Sequence, residues 1–230
     1  MTITRLQRKT ARVCKALEQR FGTPQWPGPR DPLDSLIRTI LSQNTNDKNR
    51  DLAYRRLRER FPTWREVMRA RPESIARAIK IGGLSRQKSV RIKAILKWIY
   101  ETYGELSLDF FHTMPTDEII KTFTTLKGVG LKTIYVVLAF ACGRDVFPVD
   151  THIHRITRRL GLVPEKATAD KAHHLMAPLV PAGKAYPFHI NLLVFGRTIC
   201  HARNPDCRQC FVSRECLYIR GGEPRPGSSE

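Results

Sequence analysis

The sequence predicts an all-α protein, on three observations. Apolar residues recur at helical spacing along nearly the whole chain. Helix-start signals, such as Asp31-Pro32 and Thr63-Trp64-Arg65-Glu66, stand in front of these runs. No segment alternates apolar and polar residues as a half-buried strand does.

In the first element, Leu6, Val13, Leu17 and Phe21 share a helical face. This basic N-terminal stretch could pass for a transit peptide, but it runs straight into the fold and reads as the first structural helix. Asp31 caps the next helix, with Pro32 at its first position and Leu33, Leu36, Ile37, Ile40 and Leu41 on one face. Asp47 to Arg60 is a strongly basic helix with Leu52, Leu57 and Phe61 inward. Thr63 and Glu66 form a capping box before Val67 and Met68. Ser74 is expected to cap Ile75 to Ile79, and Gly82-Gly83 to end that turn. Val90, Ile92, Ile95, Leu96 and Ile99 mark a helix that stops near Gly104. Thr116 is expected to cap a helix with Ile119, Ile120 and Phe123. After Gly128-Val129-Gly130 a helix runs from Leu131 to Cys142, then Phe147-Pro148-Val149 is extended. Further helices are expected over 151–160, 168–177 and 187–199, and the Gly/Pro/Ser-rich residues 221–230 read as a disordered tail.

Composition narrows the function. The chain has 230 residues, 41% of them apolar, which is adequate for a buried core. Forty Lys and Arg face 21 Asp and Glu, a formal charge of +19. That imbalance points to a polyanionic partner, nucleic acid first and an anionic membrane surface second. No apolar run reaches membrane-spanning length and no export signal stands at the N-terminus, so the expected compartment is the cytoplasm, in association with the nucleoid.

Cys200, Cys207, Cys210 and Cys216 follow the order C-x6-C-x2-C-x5-C. Thiolates gathered in so short a segment repel one another unless a cation sits among them. Zinc ribbons usually pair two C-x2-C knuckles, and only one is present here. One compact loop suits a cubic iron–sulfur cluster at least as well as a single zinc, so spacing leaves both open. Two disulfides are the alternative, and a reducing compartment opposes them. Cys14 and Cys142 fall in expected helices and read as core thiols.

Leu126-Lys127-Gly128-Val129-Gly130 joins two expected helices by a very short turn. Two glycines allow positive φ angles and close approach to a ligand. The N–H groups entering the second helix favour a phosphate oxygen, and Lys127, Lys132 and Thr133 add donors. The alternative is an ordinary helix–helix turn with a glycine cap. Lys132 stands at the start of that helix, where the dipole is unfavourable for an ammonium and favours the nucleophilic amine. Asp150, in Pro-Val-Asp-Thr-His, can take a proton from it, stabilise a developing cation, or cap the helix from Thr151. On local grounds alone, phosphate binding is the better reading of Lys132.

The ordered set LKGVGLKT, FPVDTHIHR and C-x6-C-x2-C-x5-C closely resembles the endonuclease III family of helix-hairpin-helix DNA glycosylases, from about Leu33 to Cys216. The resemblance implies a two-lobed fold: a six-helix bundle over 32–144, and a discontinuous lobe of 1–31 and 145–220 that carries a [4Fe–4S] cluster on the four cysteines. It implies that Lys132 is the catalytic lysine and Asp150 the catalytic aspartate. Leu84 matches the family's wedge leucine and Asn44 its second wedge, usually glutamine. Leu84 would otherwise read as a core residue after a glycine turn. Asp47 and His152 match polar positions of the cleft, and Arg203 with His201 would contact phosphate. The implied partner is double-stranded DNA with a damaged base or abasic site, bound by a monomer.

Departures from the family pattern bear on substrate preference. Lys127 replaces the usual hairpin proline, Leu131 a frequent arginine, Tyr135 a common asparagine, and Asn204 a basic residue. Tyr135 follows Lys132 by three residues and is expected to face the pocket. The leading function is an oxidised-pyrimidine glycosylase with abasic-site lyase activity. A mismatch-directed thymine, uracil or adenine glycosylase is second. Adenine-specific relatives generally lack the lysine and often carry a further C-terminal domain, which disfavours that version. A non-catalytic iron–sulfur DNA-binding protein is the third, opposed by Lys132 and Asp150 together.

Overall fold

The computed structural model describes residues 2–220, which form only helices, turns and loops. The tail expectation for 221–230 lies outside the described residues. The chain divides into two compact units: Gly28–Cys142, and the described parts of Met1–Pro27 with Gly143–Glu230.

The second of these begins with α1 (Ile3–Phe21), whose Val13, Cys14 and Leu17 enter the core and whose Leu6 and Phe21 pack at its margin. The continuous unit holds α2 (Pro32–Ser42), α3 (Asp47–Arg60), α4 (Trp64–Arg69), α5 (Pro72–Ala78), α6 (Ser85–Tyr103), α7 (Thr116–Phe123) and α8 (Leu131–Phe140). The discontinuous unit is completed by α9 (Thr151–Arg159), α10 (Ala169–Met176), α11 (Ala185–Thr198) and α12 (Leu217–Arg220).

Local chemistry accounts for most helix starts. Asp31 accepts from Leu33 N at 2.8 Å and Asp34 N at 3.1 Å, with Pro32 at the first helical position. Thr63 and Glu66 exchange both capping-box bonds. Asp31→Ala is expected to lower unfolding free energy by about 1 kcal/mol, read from the urea midpoint at unchanged slope. Gly104 ends α6 at φ 78.

Several expectations are corrected. α5 starts at Pro72 with Arg71 before it, so Ser74 is an interior residue whose Oγ accepts from Arg77. Thr116 is the first residue of α7, and the position before it is Pro115. In α3 the buried residues are Ala53 and Leu57, while Leu52 and Phe61 are half-buried. Val90 is 56% exposed, because the α6 stripe runs through residues 88, 92, 95 and 99 and turns position 90 outward. Cys142 lies beyond the end of α8 and is half-buried, whereas Cys14 is in the core.

In the continuous unit, Leu33, Leu36, Ile37 and Ile40 of α2 are fully buried, and α2 packs on α8, whose Ile134, Val137 and Leu138 are also buried. Phe111 and Phe123, both fully buried, meet edge-on at 4.7 Å. In the discontinuous unit, Gly196 lets α11 approach α9. A Cβ there would lie 3.0 Å from both His152 Nδ1 and Ile156 Cδ1.

Candidate nucleic-acid interface and cysteine loop

The hairpin forms as the glycines require, with one difference. Gly128 takes φ +89, but Gly130 is extended at φ −91 and serves as the residue before α8. Only the first glycine therefore uses the left-handed region. It is doubly constrained, because a Cβ at Gly128 would stand 2.7 Å from Arg91 Cδ. Val129 is buried and anchors the turn. Lys127 is exposed at the tip. The amides of Thr133 and Ile134 both reach Gly130 O, at 2.9 and 3.2 Å, and the Thr133 side chain is buried. Leu131 and Lys132 are the two residues of the helix that precede the first intrahelical bond, so their amides have no acceptor within it.

Lys132 is the second residue of α8 and half-buried. Tyr135, one turn on, is 9% exposed, and burial followed by the Asp117 carboxylate holds its phenol above the ordinary range. Leu84 is not a core residue. It is 49% exposed and sits at φ 47, a left-handed conformation that a branched side chain rarely adopts. Asn44 is at φ 51, where asparagine is tolerated. The two loops are neighbours, since a Cβ on Gly83 would lie 3.8 Å from Asn44 O. Asp47 pairs with Arg50 at 2.8 Å.

In the other unit, Asp150 caps α9, accepting from Ile153 N at 2.8 Å. The extended segment before it is clamped by two buried histidines that sequence reasoning did not single out. Val149 N donates to His173 Nε2 at 2.9 Å, while His173 Nδ1 stands 2.9 Å from Ala169 O. Those partners require the neutral Nδ1–H tautomer. His189 Nδ1 lies 2.9 Å from Pro148 O. His152 is half-buried, with Nδ1 3.2 Å from Arg155 Nη2.

Cys200, Cys207, Cys210 and Cys216 all line one small cavity, and none is in a disulfide. Among the described residues, no group of three or more His, Cys, Asp or Glu side chains is set to hold a metal ion. The donor chemistry nevertheless suits a positively charged inorganic core. Burial, then the neighbouring thiols, raises the Cys207 thiol, and burial carries Cys210 up to about 11. Thiolates at these positions therefore need compensating charge. α9 supplies part of it: Arg159 donates to Cys200 Sγ at 3.3 Å and to His201 O at 2.7 Å. Arg155 donates to the carbonyls of Cys200, at 2.8 Å, and Gly196, at 3.0 Å. Asn204 takes φ 49, a backbone role that a basic residue would fill less well, and Arg203 is exposed beside it.

A helix-hairpin-helix turn, a lysine just behind it and a four-cysteine loop together define a class of nucleic-acid repair protein. The family model described as HhH-GPD superfamily base excision DNA repair protein matches residues 37–182. Endonuclease III of Thermotoga maritima is 36% identical over 190 residues, covering 83% of this chain and 84% of that protein. Endonuclease III of Bacillus subtilis is 30% identical over 85% of this chain and 84% of its own length. Among solved structures, a non-covalent endonuclease III–DNA complex superposes with TM-score 0.79 at 24% identity, over 94% of this chain and 97% of that one. A thermostable thymine-DNA glycosylase gives 0.77 at 24% identity, over 93% and 98%. The chain belongs to the endonuclease III family within the HhH-GPD superfamily. Among the described residues no helix is long and apolar enough to cross a membrane.

Proposed function

We propose that this base excision repair DNA glycosylase and abasic-site lyase removes oxidised or damaged pyrimidines from double-stranded DNA, with Lys132 as nucleophile and Asp150 as its acid–base partner. The observation that carries the reading is the position of Lys132. It follows directly on a glycine turn whose first-turn amides can hold a phosphate, so one helix end grips the strand and presents an amine to its sugar.

A base inside the stack is out of reach and must be everted, which is least unfavourable for a damaged one. Leu84, exposed on a left-handed turn, and Asn44 beside it enter the gap left behind. Lys127, the Gly128-Val129-Gly130 backbone, Thr133, His152 and Arg203 make the remaining DNA contacts. The Lys132 amine attacks C1′. The Nζ–C1′ bond forms as the bond to the base breaks, and the base leaves with the electron pair and acquires a proton. Asp150 accepts the lysine proton and stabilises positive charge on the sugar. Ring opening gives a protonated imine. Loss of a C2′ proton then expels the 3′ phosphate, which leaves with the C3′–O electrons.

Cys200, Cys207, Cys210 and Cys216 would hold a [4Fe–4S] cluster. Bound there, it would tie together the loop that carries Arg203 and supply no step of the reaction. Iron and sulfide analysis of anaerobically purified protein, with visible absorbance, tests this. Zinc without iron or sulfide would sink the assignment.

The substrate class is tested with duplexes bearing thymine glycol, dihydrouracil, uracil, mismatched thymine or an abasic site. Fastest release of the first two is expected. Preference for mismatched thymine or uracil would favour the mismatch-directed reading instead. Affinity for duplex DNA is expected to fall linearly with salt on logarithmic axes, because basic contacts release counterions. A flat response between low and moderate salt would contradict a phosphate-based grip.

A further inference from the structure

α6 carries a lysine on its apolar stripe. Lys88 shares a face with Ile92, Ile95 and Ile99 and is fully buried. Burial pushes its pKa down to about 8. Methionine would fill the same space without desolvating an amine. What methionine lacks is donors, and Lys88 uses two: Nζ donates to Leu41 O at 2.7 Å and to Gly82 O at 2.8 Å.

Those carbonyls are the roots of two loops. Leu41 O lies at the C-terminal end of α2, where carbonyls lack intrahelical partners and a cation is favourable. It precedes Asn44 by three residues. Gly82 O precedes Leu84 by two. Both loops place a non-glycine residue in the left-handed region, a conformation that persists only where the surroundings over-determine it. A turn further along α6, Arg91 donates to Gln43 Oε1 at 3.3 Å, and Gln43 Nε2 donates to Gly128 O at 3.0 Å. One helix therefore holds the chain just before Asn44, the chain just before Leu84, and the hairpin.

We propose that Lys88 is a positioning residue for base eversion: its amine ties the Leu41 and Gly82 carbonyls together, so that Asn44 and Leu84 meet the duplex as one preformed wedge. This rests on the reading of those two residues as duplex-penetrating, given above.

The test is Lys88→Met in the full chain, with single-turnover release of dihydrouracil from two duplexes. In one the lesion is paired, and in the other it sits in an unpaired bulge that needs no wedge. Release from the paired site is expected to fall by about tenfold or more, and from the bulge by less than about twofold. Added to Leu84→Ala, Lys88→Met should have little further effect on the paired site, because the lysine acts through that side chain. Lys88→Gln retains a donor and should lie between wild type and Lys88→Met. It also carries the comparison if Lys88→Met does not fold. Equal losses on both duplexes would mean a general structural role and overturn the proposal, as would full activity on the paired site. Wild-type protein inactive on both duplexes would instead sink the glycosylase reading.

Discussion

Replacing Lys132 with alanine is expected to eliminate covalent capture on abasic-site DNA in the presence of borohydride and to slow strand cleavage by at least about a thousandfold. The reason is chemical. Borohydride reduces an imine to a stable secondary amine, and the imine requires a primary amine at C1′. No other group in the proposed mechanism supplies that bond. The substitution also removes one positive charge from the hairpin end of α8, so affinity for the duplex should weaken modestly, with a lower salt slope. Folding should be nearly untouched. Lys132 sits at the positive end of its helix, where alanine is at least as favourable. The pattern to look for is retained binding without capture. Capture that persists in Lys132→Ala would assign the nucleophile to another residue. Tight binding without capture by the wild-type protein would favour a non-catalytic iron–sulfur DNA-binding role.

Asp150 separates chemistry from stability through two substitutions. Its carboxylate accepts from Ile153 N at the start of α9. Asparagine is as good a helix cap as aspartate, so Asp150→Asn should keep the helix and lose only charge and basicity. Base release is expected to fall by roughly a hundred- to ten-thousand-fold with little change in the unfolding midpoint. Asp150→Ala loses the cap as well, and its unfolding free energy should drop by about a further 1 kcal/mol. If Asp150→Asn released bases at the wild-type rate, the residue would be a cap and nothing more. The surrounding framework makes the comparison clean. Val149 and Pro148 are bonded to His173 and His189 through backbone atoms, so the segment should hold its course when the Asp150 side chain changes.

The family relation gives these two tests their weight. The chain is 36% identical to Thermotoga maritima endonuclease III over most of both proteins. Two of the residues that differ from the common pattern lie in the unit that carries Lys132. Tyr135 is nearly buried one turn beyond Lys132, and Asn44 is shorter than the usual glutamine. Neither alters the nucleophile. Both are expected to bear on which base is accepted, and the lesion panel reads that directly.

Much of this was legible in the sequence because it is local. Helix periodicity, the Asp31 and Asp150 caps, the Thr63–Glu66 box and the stop at Gly104 each depend on residues within a turn of one another. The hairpin glycines, Lys132 and the four cysteines belong to short motifs whose order carries the family resemblance. Local reading failed where a neighbour outside the motif chose between options. Ser74 was a plausible cap until Pro72 took the first helical position. Leu84 could have been core or exposed, and only the packed turn turned it outward.

What the tertiary structure alone decided is of another kind. Nothing local in the sequence singled out Lys88, and its acceptors lie 47 and 6 residues away. The histidines that brace the segment before Asp150 act across 24 and 41 residues, and Arg159 reaches Cys200 across 41. A buried donor must find its acceptor wherever the chain's path brings one, and that path is set by the packing of whole helices. The order of residues was therefore sufficient for most of the helices and for the motifs that carry the family resemblance. The partners that hold those groups in place exist only once the helices have met.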